Sequence, residues 1–139
     1  MDAPFGSPDL RYIDSLGQGG TAVVARSYSQ PHQREVAVKY PLPEQADEVD
    51  FAGLAAREYE LLGNHRFPGL VRVLAPPATS PDYLLLELCA GPTLDSIGRV
   101  TSTTTALTLI SAVALDLEFL HAAGLVHGAL NPSNFFLPP

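Results

Sequence analysis

LGQGGTAVV, Leu16–Val24, is the most informative stretch of this chain, and it is followed at Val36–Lys39 by VAVK. A glycine-rich turn between two strands can lay backbone N–H groups over phosphates, because glycine has no side chain to hold the phosphates away. A strand that ends on a lysine can place one cation beside those phosphates. The two motifs together predict a nucleotide-binding fold.

Alternating apolar residues predict three strands around these motifs. The first is Leu10–Leu16, the second is Ala22–Tyr28 and the third is Glu35–Tyr40, and the glycine-rich turn joins the first two. In the third strand, the period of two puts the small side chain of Ala37 on the same face as Lys39. This face therefore has room for a flat ligand beside the lysine.

The segment after the third strand predicts one helix and two more strands. Apolar residues repeat at helical spacing over Phe51–Leu62, after an acidic run that suits the N-terminus of a helix. This spacing places Glu58 on or beside the buried face. Further strands are predicted at Leu70–Leu74 and Tyr83–Leu88. The first part of the chain is thus expected to form a five-stranded antiparallel sheet with one helix.

The last third of the chain is predicted to be mainly helical. A short helix is predicted at Leu94–Val100 and a long one at Thr104–Ala123, which Gly124 ends. Apolar residues cover more than one face of the long helix. We therefore expect this helix to pack against neighbours on several sides.

These features resemble a protein kinase of the bacterial serine/threonine type. Gly17, Gly19 and Val24 match the family's glycine-rich loop, although Ala22 stands where the third glycine is usual, and VAVK supplies Lys39. The resemblance implies an α+β fold, with a kinase small lobe of five antiparallel strands plus helix C. The first helices of the large lobe would follow, truncated after the catalytic-loop region. The implied divisions are a lead-in at 1–9, the small lobe at 10–90 and the large-lobe segment at 91–139.

Lys39 is the only lysine, since the other seven of the eight cationic residues are arginines. A strand-end lysine with its head in solvent is the simpler interpretation, but the flanking motifs favour the family's phosphate-pairing position. By the same resemblance Glu58 matches the helix C glutamate and would be the counter-ion of Lys39, with Glu60 as its rival. Such a pair would aim the lysine at phosphates.

YLLLELCAGPTL, Tyr83–Leu94, resembles the family's last small-lobe strand and hinge. The backbones of Glu87 and Cys89 would then face the adenine edge. Phe136 would lie under the adenine, where a smaller leucine is usual, and could fill the pocket itself. The nucleotide-binding residues that the resemblance implies are Gly17, Gly19, Val24, Ala37, Lys39, Glu58, Glu87, Cys89, Asn134 and Phe136.

LHAAGLVHGALNPSNFF, Leu120–Phe136, resembles the family's catalytic loop, His-Arg-Asp-Leu-Lys-Pro-x-Asn. By this match Ala129 replaces the aspartate that accepts the substrate proton, Asn131 replaces the lysine that steadies the phosphoryl group, and Gly128 replaces the arginine. Asn134, a metal ligand in the family, is retained, and no Asp-Phe-Gly occurs in the chain. The resemblance therefore implies that the chain has no catalytic residue. It leaves ATP binding as an open alternative, and it implies that magnesium binding is weak or absent.

Charge and composition argue against several other functions. The net charge is -7 and the cationic residues are not clustered, which argues against nucleic-acid binding. A single cysteine fits a reducing compartment, and we expect a cytoplasmic protein with neither a signal peptide nor a membrane-spanning segment. His32 and His65 have no companions at metal-ligand spacing, so no zinc or iron site is predicted.

Two functions of different classes follow from the sequence. The first is a catalytically inactive, truncated kinase-like domain that acts as a protein-interaction or regulatory module, binding itself or another protein through the apolar 104–123 helix. The alternative is an ATP-binding kinase-like protein that is active or sensing only with a partner or a longer native chain. A purely structural version of the first has no nucleotide and uses Phe136 as a plug.

Overall fold

The structure is a computed structural model that describes residues 4–63, 66–75 and 82–137. It divides into two compact units. The first unit is Met1–Arg66 with Val71–Leu88, and the second is Phe67–Leu70 with Cys89–Pro139. Each unit is described by itself.

The first unit is built on a four-stranded antiparallel sheet. Its strands are β1 (Leu10–Gln18), β2 (Ala22–Ser29), β3 (Arg34–Pro41) and β4 (Leu84–Glu87), and they lie in the order β1-β2-β3-β4. The predicted strands are thus confirmed in position, and each boundary differs from its prediction by at most two residues. Tight turns join β1 to β2 and β2 to β3, which explains why sequential strands are neighbours.

The predicted strand at Leu70–Leu74 is reduced to a single bridge between Val73 and Leu86, so the sheet has four strands and not five. Two hydrogen bonds flank this bridge, from Leu74 N–H to the Leu85 carbonyl at 2.8 Å and from Glu87 N–H to the Arg72 carbonyl at 2.9 Å. Proline precedes this segment at position 68 and follows it at positions 76 and 77. Because proline has no N–H to donate, the ladder cannot extend far in either direction.

Apolar side chains cover both faces of the sheet. One face carries a core that is fully buried at Val36, Val38 and Leu85. The opposite face carries Leu84, which packs with Ala55 and Val73. Successive residues of β4 alternate between the two cores, with Leu85 in the first and Leu84 in the second, as the period of two predicts for a strand buried on both sides. The first core is Leu10, Val36, Val38, Leu74, Tyr83 and Leu85, and the second is Ala55, Val73 and Leu84.

Arg26, a half-buried residue in the middle of β2, links three strands through its guanidinium group. Its Nε donates to Asp14 Oδ1 at 3.0 Å and its Nη2 to Asp14 Oδ2 at 2.6 Å, and its Nη1 lies 3.8 Å from Glu35 Oε2. The hydrogen bonds that Arg26 donates to the Asp14 carboxylate, followed by the charge of that carboxylate, raise the pKa of Arg26. This bidentate contact links β2 to β1 beside the glycine-rich turn.

Helix α1 spans Phe51–Leu62, as predicted. Asp50 begins it, because its carboxylate accepts a 2.9 Å hydrogen bond from the N–H of Gly53. Ala55 is buried in the second core, and Phe51, Tyr59 and Leu62 pack against that core. These positions form one stripe at spacings of three and four residues, so α1 contacts the sheet along a narrow face.

The second unit contains helix α2, Thr103–Ala122, which confirms the long predicted helix. Ser102 Oγ caps it by accepting from the N–H of Thr105 at 3.3 Å. The structure describes all the residues of α2, and among them only Leu120 is buried. The length and mean hydropathy of α2 would also allow it to cross a membrane, although no membrane-spanning segment was expected from the sequence. A single helix of this kind is weak evidence for a membrane protein, because the core helix of a soluble protein can have the same length and composition.

The predicted short helix at Leu94–Val100 is wrong, because this segment forms a turn. Ser96 N–H donates to Thr93 Oγ1 at 3.3 Å, and Gly98 has a φ of +79°. A left-handed glycine ends a helical turn before it can propagate.

Candidate functional site

The glycine-rich turn is open and lies in register with the lysine. In the paired strands, Gly17 lies opposite Val24 and Val24 lies opposite Lys39. Directly opposed residues share a face of the sheet, so these three form one row across β1, β2 and β3. Ala37 lies two residues before Lys39 and therefore on the same face, where it is buried. The structure thus brings together four of the predicted nucleotide-binding residues.

The tip of the turn leaves space around its backbone. Gly19 N–H donates to the carbonyl of Ala22 at 2.8 Å, which closes the turn. A Cβ added at Gly17 or Gly20 would meet no atom within 4 Å, and one added at Gly19 would meet only the Ala22 carbonyl at 3.8 Å. The backbone of the turn is therefore accessible to a ligand, and the glycines are not required by packing.

Lys39 and Glu58 are not paired. Both side chains are exposed, and within the described residues the ion pairs are those that Arg26 makes with Asp14 and Glu35. The predicted ion pair with Lys39 is therefore absent from the structure. Glu58 follows the buried Ala55 by three residues, so it lies beside the stripe that contacts the sheet, with its side chain exposed. Glu60, the rival counter-ion, is exposed as well.

Of the two predicted hinge residues, Glu87 belongs to the first unit and Cys89 to the second. Glu87 is the last residue of β4, and both its backbone N–H and its side chain bind Arg72: the N–H donates to the Arg72 carbonyl at 2.9 Å, and Oε1 accepts from the Arg72 N–H at 2.8 Å. Cys89 is half-buried at the start of the second unit. The structure therefore fixes Glu87 against Arg72, a contact that the sequence did not indicate.

The loop that resembles the catalytic loop is held by its own amides. The side-chain amide of Asn134 donates to the carbonyl of Ala129 at 2.7 Å, and that of Asn131 donates to the same carbonyl at 3.3 Å. The N–H of Ala129 donates to His127 Nδ1 at 3.2 Å. A short 3₁₀ turn at Pro132–Asn134 follows, with Asn131 Oδ1 accepting from the Ser133 N–H. The loop keeps a defined shape without the residues of phosphoryl transfer.

This loop does not fit a magnesium ion. Magnesium is held in proteins mainly through carboxylates, and the loop from Leu120 to Phe136 contains no Asp or Glu. Asn134 offers a neutral amide oxygen alone. Within the described residues, no group of three or more His, Cys, Asp or Glu side chains is arranged to hold a metal ion.

Phe136 does not have the burial expected of a plug. It forms a bridge with Thr93, and the adjacent Leu137 N–H donates to the carbonyl of Pro92 at 2.8 Å. Its side chain is 48% exposed. Phe136 is thus positioned by backbone pairing within the second unit.

The structure contains a cavity of about 400 Å³ that the sequence analysis missed. It lies in the first unit and is lined by His32, Arg34 and Arg72, together with Tyr59 and the Val73–Ala75 segment. His32 and Arg34 are close in sequence, but only the alignment of the bridge at Val73 with β4 and β3 brings Arg72 to them. No local sequence signal could have joined these residues.

Comparison with known proteins agrees with this architecture. A profile of the protein kinase domain matches residues 10–138. The human serine/threonine-protein kinase ULK3 is 30% identical over 129 residues, which cover 89% of this chain and 27% of that protein. The probable serine/threonine-protein kinase PkwA of Thermomonospora curvata is 32% identical over 133 residues, which cover 91% of this chain and 18% of that protein.

The fold agrees with a solved kinase structure. The kinase domain of Mycobacterium tuberculosis PknI superposes with a TM-score of 0.75 at 21% identity, covering 99% of this chain and 59% of that chain. The present chain therefore spans about a fifth to a quarter of the related kinases named above, and somewhat over half of one kinase-domain structure. Because the profile of the protein kinase domain matches nearly all of its residues, the chain belongs to the protein kinase domain family.

Proposed function

We propose that this chain is a catalytically inactive kinase-like domain that acts as a protein-interaction or regulatory module. The observation that carries the proposal is Ala129, which occupies the position of the catalytic base in the loop that resembles the family's. Its methyl group cannot accept a proton, and its carbonyl is already engaged by the amides of Asn131 and Asn134. Phosphoryl transfer would lack its base.

The electrostatics of the loop favour the same proposal. Phosphoryl transfer depends on positioning and on neutralising the charge that develops on the transferred group. Asn131 contributes a neutral amide where a lysine would contribute a charge, and the loop has no carboxylate to hold magnesium. Several components of the reaction are thus replaced together, and one substitution by itself would not restore it.

Helix α2 supplies the candidate interaction surface. Large apolar side chains on it are exposed, with Leu107 at 59% and Ile110 at 65%. Covering one such side chain is worth about 1.5–3 kcal/mol, so a face of several favours association. The proposed occupant is a second copy of this chain or another protein. Further residues of a longer native chain are the competing occupant.

The proposal is tested by a phosphoryl-transfer assay on the purified chain with labelled ATP, magnesium and a general protein substrate. We expect no transfer above that of Lys39→Met, which removes the cation at the end of β3. Transfer by the wild type that Lys39→Met abolishes would overturn the proposal. Self-association is tested in parallel by measuring the molar mass as a function of concentration.

ATP binding is the second candidate function, because Gly17, Val24 and Lys39 form one row beside an open turn. Lys39 Nζ would meet the phosphates and the small Ala37 would leave space for the base. The related proteins named above are serine/threonine kinases, which favours this alternative by family. In it, activity or sensing would require a partner or a longer native chain.

A further inference from the structure

We infer that the cavity lined by His32, Arg34 and Arg72 is a binding site for a phosphate monoester dianion, distinct from the glycine-rich row of the first unit. We call it the basic cavity. Its ligand would carry the dianion on a compact organic group, as in a phosphorylated side chain or a small free phosphate ester. The inference is independent of the function proposed above, since none of its residues belongs to the predicted nucleotide-binding set.

Three separated segments build the basic cavity. The β2–β3 turn contributes His32, and the first residue of β3 contributes Arg34. The extended segment beside β4 contributes Arg72, and the last turns of α1 contribute Tyr59. Both backbone hydrogen-bonding groups of Arg72 are bound to Glu87, so its position is fixed while its guanidinium stays available.

The hydrogen bonds of His32 determine which ring nitrogen can donate. Ser29 is fully buried, and its Oγ lies 2.9 Å from His32 Nδ1 and accepts from the His32 N–H at 3.4 Å. The proton of this buried hydroxyl requires an acceptor, and Nδ1 is the acceptor within hydrogen-bonding distance of Oγ. This pairing favours the neutral tautomer that carries its proton on Nε2. His32 therefore has a donor available for an anion.

The charge of the cavity contrasts with that of the chain. The chain has a net charge of -7, yet no acidic side chain lines this cavity in the part of the chain that the structure describes. The charged or titratable groups that line it are His32, Arg34, Arg72 and Tyr59. Burial, followed by the charges of Arg34 and Arg72, lowers the pKa of His32. Two cationic guanidinium groups in a lining without Asp or Glu favour an anion as the occupant.

The size and lining of the cavity define the ligand further. Two guanidinium groups offer planar forks of donors that match the oxygens of a phosphate, and an imidazole adds a third donor. This set suits a dianion better than a singly charged carboxylate. Tyr59, Val73 and Leu74 supply apolar wall, and a volume of about 400 Å³ accommodates a compact group attached to the phosphate.

The site is tested on the 139-residue chain by NMR titration of the histidine side chains, with phenyl phosphate and inorganic phosphate as probes. We expect saturable shifts of His32 with a Kd of about 1 mM or below for phenyl phosphate, and weaker binding of inorganic phosphate, which lacks the apolar group. Bound dianion should raise the pKa of His32, because a nearby negative charge favours the imidazolium.

Variants separate this site from general charge attraction. Arg34→Gln and Arg72→Gln should each weaken phenyl phosphate binding about tenfold or more, because each removes a charge-assisted pair. Arg57→Gln is the matched control, since Arg57 is an exposed arginine of α1 outside the cavity lining. Unchanged unfolding midpoints establish that the variants fold. The absence of saturable binding, or equal loss in Arg57→Gln, overturns the inference.

The source of the phosphate is distinguished by two further probes. A capped tripeptide with a central phosphotyrosine represents a protein-borne phosphate, and glycerol 3-phosphate represents a free ester. Tighter binding of the tripeptide assigns the site to a modified protein segment, whereas tighter binding of glycerol 3-phosphate assigns it to a small metabolite. Failure of both to compete with phenyl phosphate overturns the inference.

Discussion

The side-chain amide of Asn134 donates a 2.7 Å hydrogen bond to the carbonyl oxygen of Ala129. In the proposed function, these two residues stand where the family's catalytic loop has a metal ligand and a base. In this chain the retained residue binds the backbone of the replaced one. Side-chain amides thus help to hold the shape of the loop.

We expect Ala129→Asp by itself not to produce phosphoryl transfer. The aspartate would restore a base, but Asn131 would still contribute a neutral amide where the family has a lysine to steady the phosphoryl group. The measurement is transfer of labelled phosphate from ATP by the wild type and by Ala129→Asp. Measurable turnover by Ala129→Asp would contradict the view that several components of the reaction are missing together.

A thermal-shift titration with ATP discriminates between the two proposed functions. If the row of Gly17, Val24 and Lys39 binds nucleotide, ATP near saturation should raise the unfolding midpoint by about 4 °C or more, and Lys39→Met should remove the rise. Arg66→Met is the control, because it removes an exposed cation outside this row. A midpoint that is indifferent to ATP, with or without magnesium, favours the module without nucleotide.

Association through α2 should depend on its exposed apolar side chains. We expect the molar mass of the wild type to rise with concentration, and the double variant Leu107→Ser, Ile110→Ser to remain a monomer at concentrations where the wild type associates. Ser111→Ala, at an exposed polar position of the same helix, should behave as the wild type does. A wild type that stays monomeric throughout contradicts self-association.

Leu85→Ala should destabilise the first unit by about 2–5 kcal/mol, because it leaves a cavity in a closely packed core. Leu85 is 1% exposed and packs between β3, β1 and the segment that carries Leu74. Leu16→Ala is the matched control: this side chain is 50% exposed, and its truncation should cost about 0.5 kcal/mol or less. Equal midpoints in urea for the two variants would refute the assigned core.

The basic cavity predicts a pH dependence of stability through His32. Its pKa is lowered in the folded state, so the unfolded chain binds more protons, and the free energy of unfolding rises with pH up to about 6.5, the ordinary pKa of histidine. Conversely, this contribution to stability is lost as the pH falls through that range. Arg72→Gln removes one of the charges responsible, so NMR titration should give a higher pKa for His32 than in the wild type. An unchanged pKa would contradict the role of Arg72.

Much of the first unit was predictable because its signals are local. The apolar alternation of β1, β2 and β3, the intervening turns and the spacing of α1 can each be recognised in a few consecutive residues. The row of Gly17, Val24 and Lys39 follows once two hairpins are in register. The prediction of a strand at Leu70–Leu74 was wrong because prolines on both sides limit the pairing of this segment. The prediction of a helix at Leu94–Val100 was wrong because Gly98 takes a left-handed conformation.

The sequence by itself determined the family and the order of the main elements, and the resemblance of its last loop to the family's catalytic loop carries the proposal that Ala129 replaces the base. These depend on residue identity and short-range spacing. Only the tertiary structure decided that Glu58 is exposed and makes no ion pair with Lys39, that Phe136 is half exposed, and that His32, Arg34 and Arg72 line one cavity. Each of these depends on how distant segments pack, and a periodic pattern along the chain defines a face without defining what will lie against it.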